Sequence, residues 1–268
     1  MSVLLERGIA FDSAPVTVTG VYDVSAHVRR VTFSDVRVAD AVTAGPDQRI
    51  KLFLPPPGRA LTLPSGAGWY QTWLATPVAE RVVMRAYTVR ALRPEVAEID
   101  VDFALHGRTG PASAWALDVR PGDTAGLLLP FSVDMSSVKG LLRSGVDYVP
   151  PADSVSRLLV ADETALPALE GILGTLPAAA RATAFVRVPD PDDVRYLPST
   201  GIAEVTWLTG GAPLDALRRA VLPGHLDYAW IAGESGMVTS VRRLLVALGM
   251  AKDRISFQGY WRRGRPQC

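Results

Sequence analysis

The stretch Arg85-Ala86-Tyr87-Thr88-Val89-Arg90 follows the apolar run Val82-Val83-Met84 and sets cations, an aromatic ring and a hydroxyl side by side. On a strand, Arg85, Tyr87 and Val89 point one way and Ala86, Thr88 and Arg90 the other. That arrangement suits a planar, anionic cofactor, with Tyr87 against the ring, Arg85 on a phosphate and Thr88 hydrogen-bonded to a ring edge or side chain. The same letters also describe an ordinary strand with exposed arginines, and the rest of the chain must decide between the two.

Three further stretches carry chemistry. His106-Gly107-Arg108-Thr109-Gly110-Pro111-Ala112-Ser113-Ala114-Trp115-Ala116 reads as a tight turn opening a helix with proline in its first turn. Such a helix offers free backbone N–H groups and a positive dipole end to a pyrophosphate, or is a plain strand-to-helix turn with His106 as a turn residue. Ala161-Asp162-Glu163-Thr164-Ala165-Leu166-Pro167 and Ala232-Gly233-Glu234-Ser235-Gly236 both follow buried-strand runs. Asp162 or Thr164 is a helix cap in the simplest reading, and the second turn lacks the full glycine fingerprint of a dinucleotide site. The chain closes on Phe257-Gln258-Gly259-Tyr260-Trp261-Arg262-Arg263-Gly264-Arg265, either a solvated basic tail or an aromatic flap over a planar ligand.

The elements that position these stretches change character midway. From Pro15 to Asp123, strand-like runs at Val16 to Asp23, His27 to Ser34, Ile50 to Leu54, Val82 to Arg90, Ala97 to Leu105 and Thr124 to Leu129 predict a small antiparallel barrel. The connection Gly58 to Pro77, with Trp69, Tyr70 and Trp73, is expected to pack on that barrel or to cover a ligand. Phe131 to Asp153 reads as a linker with a short helix at Ser136 to Leu142. Beyond it, Leu158 to Ala161, Ala182 to Val188, Val205 to Leu208 and Tyr228 to Ala232 alternate with helical segments at Ala165 to Leu173, Leu214 to Val221 and Val238 to Leu248. Alternation of that kind implies a parallel sheet covered on both faces, with ligands beyond the carboxyl ends of its strands.

Composition sets the outer bounds. The 268 residues carry 28 Lys plus Arg against 27 Asp plus Glu, a net charge of +1 that argues against a dedicated nucleic-acid binder. Positive charge is nearly all arginine, since lysine occurs only at 51, 139 and 252. The single cysteine, Cys268, excludes an internal disulfide framework, a cysteine-bound zinc and an iron–sulfur cluster. With no signal-peptide pattern at the start and no long uncharged apolar run, the expectation is a soluble cytoplasmic protein without membrane partners and without a protein-bound metal.

Taken in order, Val28-Arg29-Arg30-Val31-Thr32-Phe33, Ile50-Lys51-Leu52, RAYTVR, HGRTGPASAWA, ADETALPAL, AGES and GYWRRG resemble the siderophore-interacting proteins, flavin-dependent ferric-siderophore reductases of the ferredoxin-reductase superfamily. The resemblance implies a two-domain α+β fold. A six-stranded antiparallel FAD-binding β-barrel over residues 1–130 and a linker over 131–153 precede a nicotinamide-binding-like α/β domain over 154–268. It also implies cofactor contacts at Arg85, Tyr87, Thr88, His106, Gly110, Pro111, Ala112, Ser113 and Trp115. A turn near the adenine end of FAD at Asp162, Glu163, Thr164 and Ala165, and a segment near the flavin at Tyr260, Trp261 and Arg262, complete the set. Substrate cations are expected at Lys51, Arg262, Arg263 and Arg265. Electrons then pass from NADH, NADPH or ferredoxin through FAD to ferric iron in a siderophore or other small chelate. The chain departs from the family where a second glycine-proline turn usually follows Gly122-Asp123 and this one reads Gly126-Leu127-Leu128-Leu129-Pro130-Phe131. That change, with the long linker, scarce lysine and mean hydropathy of +0.17, motivates a second reading: a repurposed relative that cyclises or isomerises an apolar natural product without redox chemistry. A flavin-containing relay without nicotinamide activity is a third.

Overall fold

The computed structural model describes residues 7–56, 58–64, 68–134, 145–220 and 224–264. Contacts divide the chain into two compact units. The first runs through Tyr22 and over Arg29–Val146; the second takes Asp23–Val28 and the chain from Asp147 on.

In the first unit, β1 (Arg7–Ser25), β2 (Val28–Ser34), β3 (Arg49–Leu54), β4 (Val83–Thr88), β5 (Ala91–Arg93), β6 (Glu98–Ala104) and β7 (Thr124–Asp134) form one sheet in the order β4-β3-β7-β1-β2-β6-β5. β4 and β5 stand at opposite ends of that order yet are two halves of one run. At its bend, Val89 N–H donates to Gln48 O at 2.8 Å and Arg90 N–H to Asp100 O at 2.9 Å, so the run joins both ends of the sheet. The seven strand segments therefore make the six passes of a closed antiparallel barrel. Strand period shows directly in β1, where Ala14, Val16 and Val18 are buried and the residues between Val16 and Val18 and beyond Val18 are exposed. The interior collects Phe33, Ile50, Leu52, Ile99, Phe103, Leu127 and Leu129, all fully buried, each contributing about 2 kcal/mol by leaving water.

β7 passes the expected boundary at 130 and reaches Asp134, because β1 starts early enough to pair with it from Arg7↔Asp134 to Thr17↔Thr124. Residues 135–144, and with them the helix expected at Ser136 to Leu142, lie outside the described residues. The connection after β3 contains a helix, α1 (Trp69–Ala75). Its Trp73 is buried against Phe53, Val82, Met84 and Leu128 on the barrel's outer face, with Nε1 donating to Val82 O at 2.9 Å. A second helix, α2 (Pro111–Asp118), follows β6.

The second unit is a parallel sheet. β8 (Ser156–Asp162), β9 (Arg181–Val188), β10 (Ile202–Thr209), β11 (Tyr228–Glu234) and β12 (Ile255–Trp261) stand in the order β10-β9-β8-β11-β12, with α3 (Leu166–Gly174), α4 (Pro213–Arg219) and α5 (Ser235–Ala247) between them. β8 and β11 lie centrally and are buried almost end to end, as strands covered on both faces must be. Leu159 and Ala161 pack with α3, while Leu158 and Val160 pack with α4 and α5. α5 turns Val238, Val241 and Leu245 inward at helical spacing. The C-terminal aromatic segment, expected as a tail or flap, is strand β12, held beside β11 from Ala229↔Ile255 onward. Among the described residues no helix is long and apolar enough to cross a membrane.

Candidate functional site

Within the barrel, the pairs Ile50↔Tyr87 and Leu52↔Arg85 share one face of β3 and β4, while Arg49↔Thr88 and Lys51↔Ala86 share the other. The structure thus separates Arg85 and Tyr87 from Thr88 and Lys51 by faces. Tyr87 lies against Phe103 with ring centroids 4.5 Å apart. Burial pushes its phenol above the usual range, opposed by the nearby charge of Arg85, so it stays neutral. Arg85 is half-buried, and its Nη1 donates to Met84 O at 2.8 Å. Thr88 is buried, and its hydroxyl has no hydrogen-bond partner among the described residues. Burial, and secondarily Arg49, lower the Lys51 ammonium from its ordinary value.

The turn before α2 is built to leave a helix end open. Gly110 is the N-cap residue and provides no side-chain cap, and Pro111 occupies the first turn. The N–H groups of Ala112 and Ser113 therefore begin the helix without a side chain on them. Ser113 is buried and its hydroxyl serves the turn itself: it accepts from His106 N–H at 3.0 Å and donates to Gly107 O at 2.7 Å. His106 is exposed. Trp115 packs inward, stacked on Phe33 at 6.1 Å and tilted against Phe103 at 5.6 Å, and so fixes α2 to the core. Arg29, visible in the sequence only as part of the Val28–Phe33 motif with no role assigned, donates through Nη1 to both Ala116 O and Leu117 O at 3.0 Å and caps the far end of α2.

In the second unit, Asp162 is fully buried at the end of β8 and joins three strand ends. Oδ1 accepts from Thr164 N–H at 3.0 Å and Thr164 Oγ1 at 2.6 Å; Oδ2 accepts from Glu234 N–H at 2.7 Å and Trp261 Nε1 at 2.8 Å. Gly233 makes this possible: at φ +134°, with an added Cβ only 2.5 Å from the Asp162 carboxyl carbon, no larger residue fits unstrained. Glu163 is buried beside it with Oε2 unpartnered among the described residues. Burial, then the charge of Asp162, push its carboxyl up to about 7. Ala165 precedes α3 and is buried, Tyr260 packs partly into the α3-side core, Arg262 is exposed, and Arg263 N–H reaches Glu234 Oε1 at 3.4 Å. Arg265 lies outside the described residues. Glu234 was visible only as part of a strand-end turn; the structure makes it the cap of α5, accepting from Met237 N–H at 2.9 Å.

One cluster carried no sequence signal. Asp193, almost fully buried, accepts from Ser25 Oγ at 2.7 Å, His27 N–H at 2.9 Å and His27 Nδ1 at 2.8 Å. Burial opposes its ionisation, but these bonds hold the carboxyl below its ordinary value. Ser25 and His27 both serve the same carboxylate, so this is a clasp on the turn between β1 and β2 and not a nucleophile relay.

Comparison with known proteins agrees with the geometry. Residues 17–134 match the siderophore-interacting FAD-binding domain and residues 155–264 the siderophore-interacting protein domain. The ferric vibriobactin reductase ViuB of Vibrio cholerae is 29% identical over 255 residues, covering 90% of this chain and 86% of that protein. The siderophore-interacting protein SipS from Aeromonas hydrophila superposes with a TM-score of 0.73 at 30% identity, over 94% of this chain and 99% of that one. A siderophore utilization protein from T. fusca gives 0.78 at 29% identity, over 97% of both chains. With both of its domains matched and a solved relative covered almost end to end, this chain belongs to the siderophore-interacting protein family.

Proposed function

We propose that the chain is a FAD-dependent oxidoreductase that reduces ferric siderophores to release ferrous iron, drawing electrons from NADH, NADPH or ferredoxin. The observation that carries this reading is the open N-terminal turn of α2, where Gly110 leaves the N–H groups of Ala112 and Ser113 uncapped in the domain whose family model is FAD-binding. FAD, when bound, supplies one-electron chemistry to the ferric ion. The residues present fit it. The α2 turn offers N–H donors and a positive dipole end to a pyrophosphate, and Arg85 adds a cation. Tyr87, braced by Phe103, offers a neutral ring, and the orphaned Thr88 hydroxyl gains a partner on binding. In the second unit, the Asp162 carboxylate is taken up by Thr164, Glu234 and Trp261, and Glu163 Oε2, unpartnered among the described residues, is the acceptor that suits a hydroxyl or amino donor.

Lys51 of the barrel and, separately, Arg262, Arg263 and Arg265 near the end of the chain are assigned to anionic groups of the chelate. Oxygen ligands of a siderophore hold ferric iron far better than ferrous iron, so reduction itself promotes release. The test is anaerobic: the FAD-loaded chain is reduced chemically, freed of reductant and mixed with a ferric chelate and a ferrous trap. Return of the oxidised flavin band in step with one ferrous ion per electron is the expected result. A reduced band that persists beside unreduced chelate overturns the assignment.

A further inference from the structure

Near its start, the central strand β8 carries a charge among apolar neighbours. Arg157 stands in register between Ala182 of β9 and Tyr228 of β11, both buried, and is itself only 5% exposed. Burying a guanidinium is costly unless an anion offsets its charge. A lysine in that setting would shed its proton, but arginine keeps its charge, so the offset must come from outside the side chain. The described residues supply none. Nη1 donates to Tyr148 Oη at 2.5 Å and Nη2 to Ser154 O at 3.0 Å, a phenol and a carbonyl. The Tyr148 ring lies 5.8 Å from the guanidinium carbon, an attraction too weak to replace a counter-ion. Among the described residues no carboxylate comes within ion-pair distance of Arg157. Asp153 and Asp227, the chain neighbours of Ser154 and Tyr228, are engaged elsewhere. Asp153 pairs with Arg254 at 3.0 Å, and Asp227 takes Val155 N–H, Ser156 N–H and His225.

Two buried polar atoms at this spot have no hydrogen-bond partner among the described residues, Arg157 Nε and Ser154 Oγ. Ser154 is 5% exposed, and its backbone is fixed on both sides: its N–H donates to Pro151 O at 3.0 Å and its O accepts from Arg157. Its hydroxyl is therefore held beside the guanidinium with nothing to bond, and buried orphans of this kind call for an occupant. A water would meet both groups but leave the charge unbalanced. An anion accepts from both donors and cancels it.

We propose that Arg157 and Ser154 hold a small monovalent anion, chloride or one of its size, at the root of β8. One positive charge sets the valence, and the buried setting sets the size. Bound there, the anion ties the connection that carries Tyr148 and Ser154 to the central strand of the second unit. Arg157 lies at the opposite end of β8 from Asp162, and neither Arg157 nor Ser154 is among the residues assigned to the flavin, so the proposal stands apart from the reductase reading.

Thermal unfolding of the full chain is followed by circular dichroism while chloride replaces gluconate at constant ionic strength. Raising chloride from about 5 to about 200 mM is expected to raise Tm by about 3 °C or more, as a ligand bound only by the folded state must. Ser154→Ala removes a donor that has no other partner, so it should fold as the parent chain does and need about tenfold more chloride for the same shift. Arg157→Met should abolish the shift. A Tm that does not rise with chloride leaves only water on these groups and overturns the proposal. A rise that persists undiminished in Ser154→Ala is a general salt effect and overturns it too. Ser154→Ala keeps every other bond of the site, so the decision rests with that variant if Arg157→Met fails to fold.

Discussion

Gly233→Ala isolates the junction that holds the strand ends of the second unit together. An alanine Cβ there would stand 2.5 Å from the Asp162 carboxyl carbon and 2.6 and 2.7 Å from its oxygens, on a backbone at φ +134°. The backbone alone costs about 1–3 kcal/mol for a residue with a side chain. Relief of the clash moves the carboxylate away from Glu234 N–H and Trp261 Nε1, two charge-assisted bonds at 2.7 and 2.8 Å, for a further loss of about 2 kcal/mol or more. The total is about 4 kcal/mol, or about 10 °C in Tm for a chain of this size. Gly249→Ala is the matched control, since Gly249 has φ +93° but nothing within 4 Å of an added Cβ. It should cost only the backbone share, about 1–3 kcal/mol. Urea unfolding of both variants, followed by circular dichroism without added cofactor, measures the difference directly. Equal losses would show that Asp162 does not hold the three strand ends together.

Three other outcomes follow from the same geometry. Glu163 binds its proton more tightly folded than unfolded, so its contribution to stability is present below about pH 4.5 and is lost as pH rises toward its folded value of about 7. Glu163→Gln should flatten that slope and gain up to about 3 kcal/mol above pH 7 in pH-dependent urea titrations; an unchanged slope refutes the assignment. Thr88→Val removes an orphaned hydroxyl and should leave the cofactor-free chain as stable or slightly more so, while weakening FAD binding by about 1 kcal/mol in fluorescence titration. Arg29→Ala uncaps the end of α2 at Ala116 and Leu117 and should weaken FAD about tenfold through the pyrophosphate grip, yet leave riboflavin, which has no phosphate, nearly unaffected. Equal weakening of both ligands would make Arg29 merely structural.

Much of this architecture was legible because the two halves follow different periods. Barrel strands such as β2 and β6 and the buried runs of β8 and β11 carry their own patterns, and those elements fall within a few residues of expectation. The early half of β1 was missed because its pairing with β7 is set by a partner more than a hundred residues away. β12 was expected as a tail or a flap and not as a strand, because an edge strand with a glycine, two aromatics and following arginines lacks both alternation and a continuous apolar run. At the site, the motifs located Asp162 and Ser113 but not their work. Trp261 reaches Asp162 across 99 residues and His27 reaches Asp193 across 166, and no local pattern encodes such contacts. Ser113 sits in a motif that points to a pyrophosphate, yet its hydroxyl is spent on shaping the turn, leaving the backbone as the donor.

Whether the barrel and α2 hold FAD is read from the visible absorption of the full chain, purified without added cofactor and then titrated with FAD. One FAD bound per chain, with riboflavin bound far more weakly, is the predicted result. A colourless protein that takes up no FAD would rule out a flavin site there and make a pocket repurposed for non-redox chemistry on an apolar natural product the better reading.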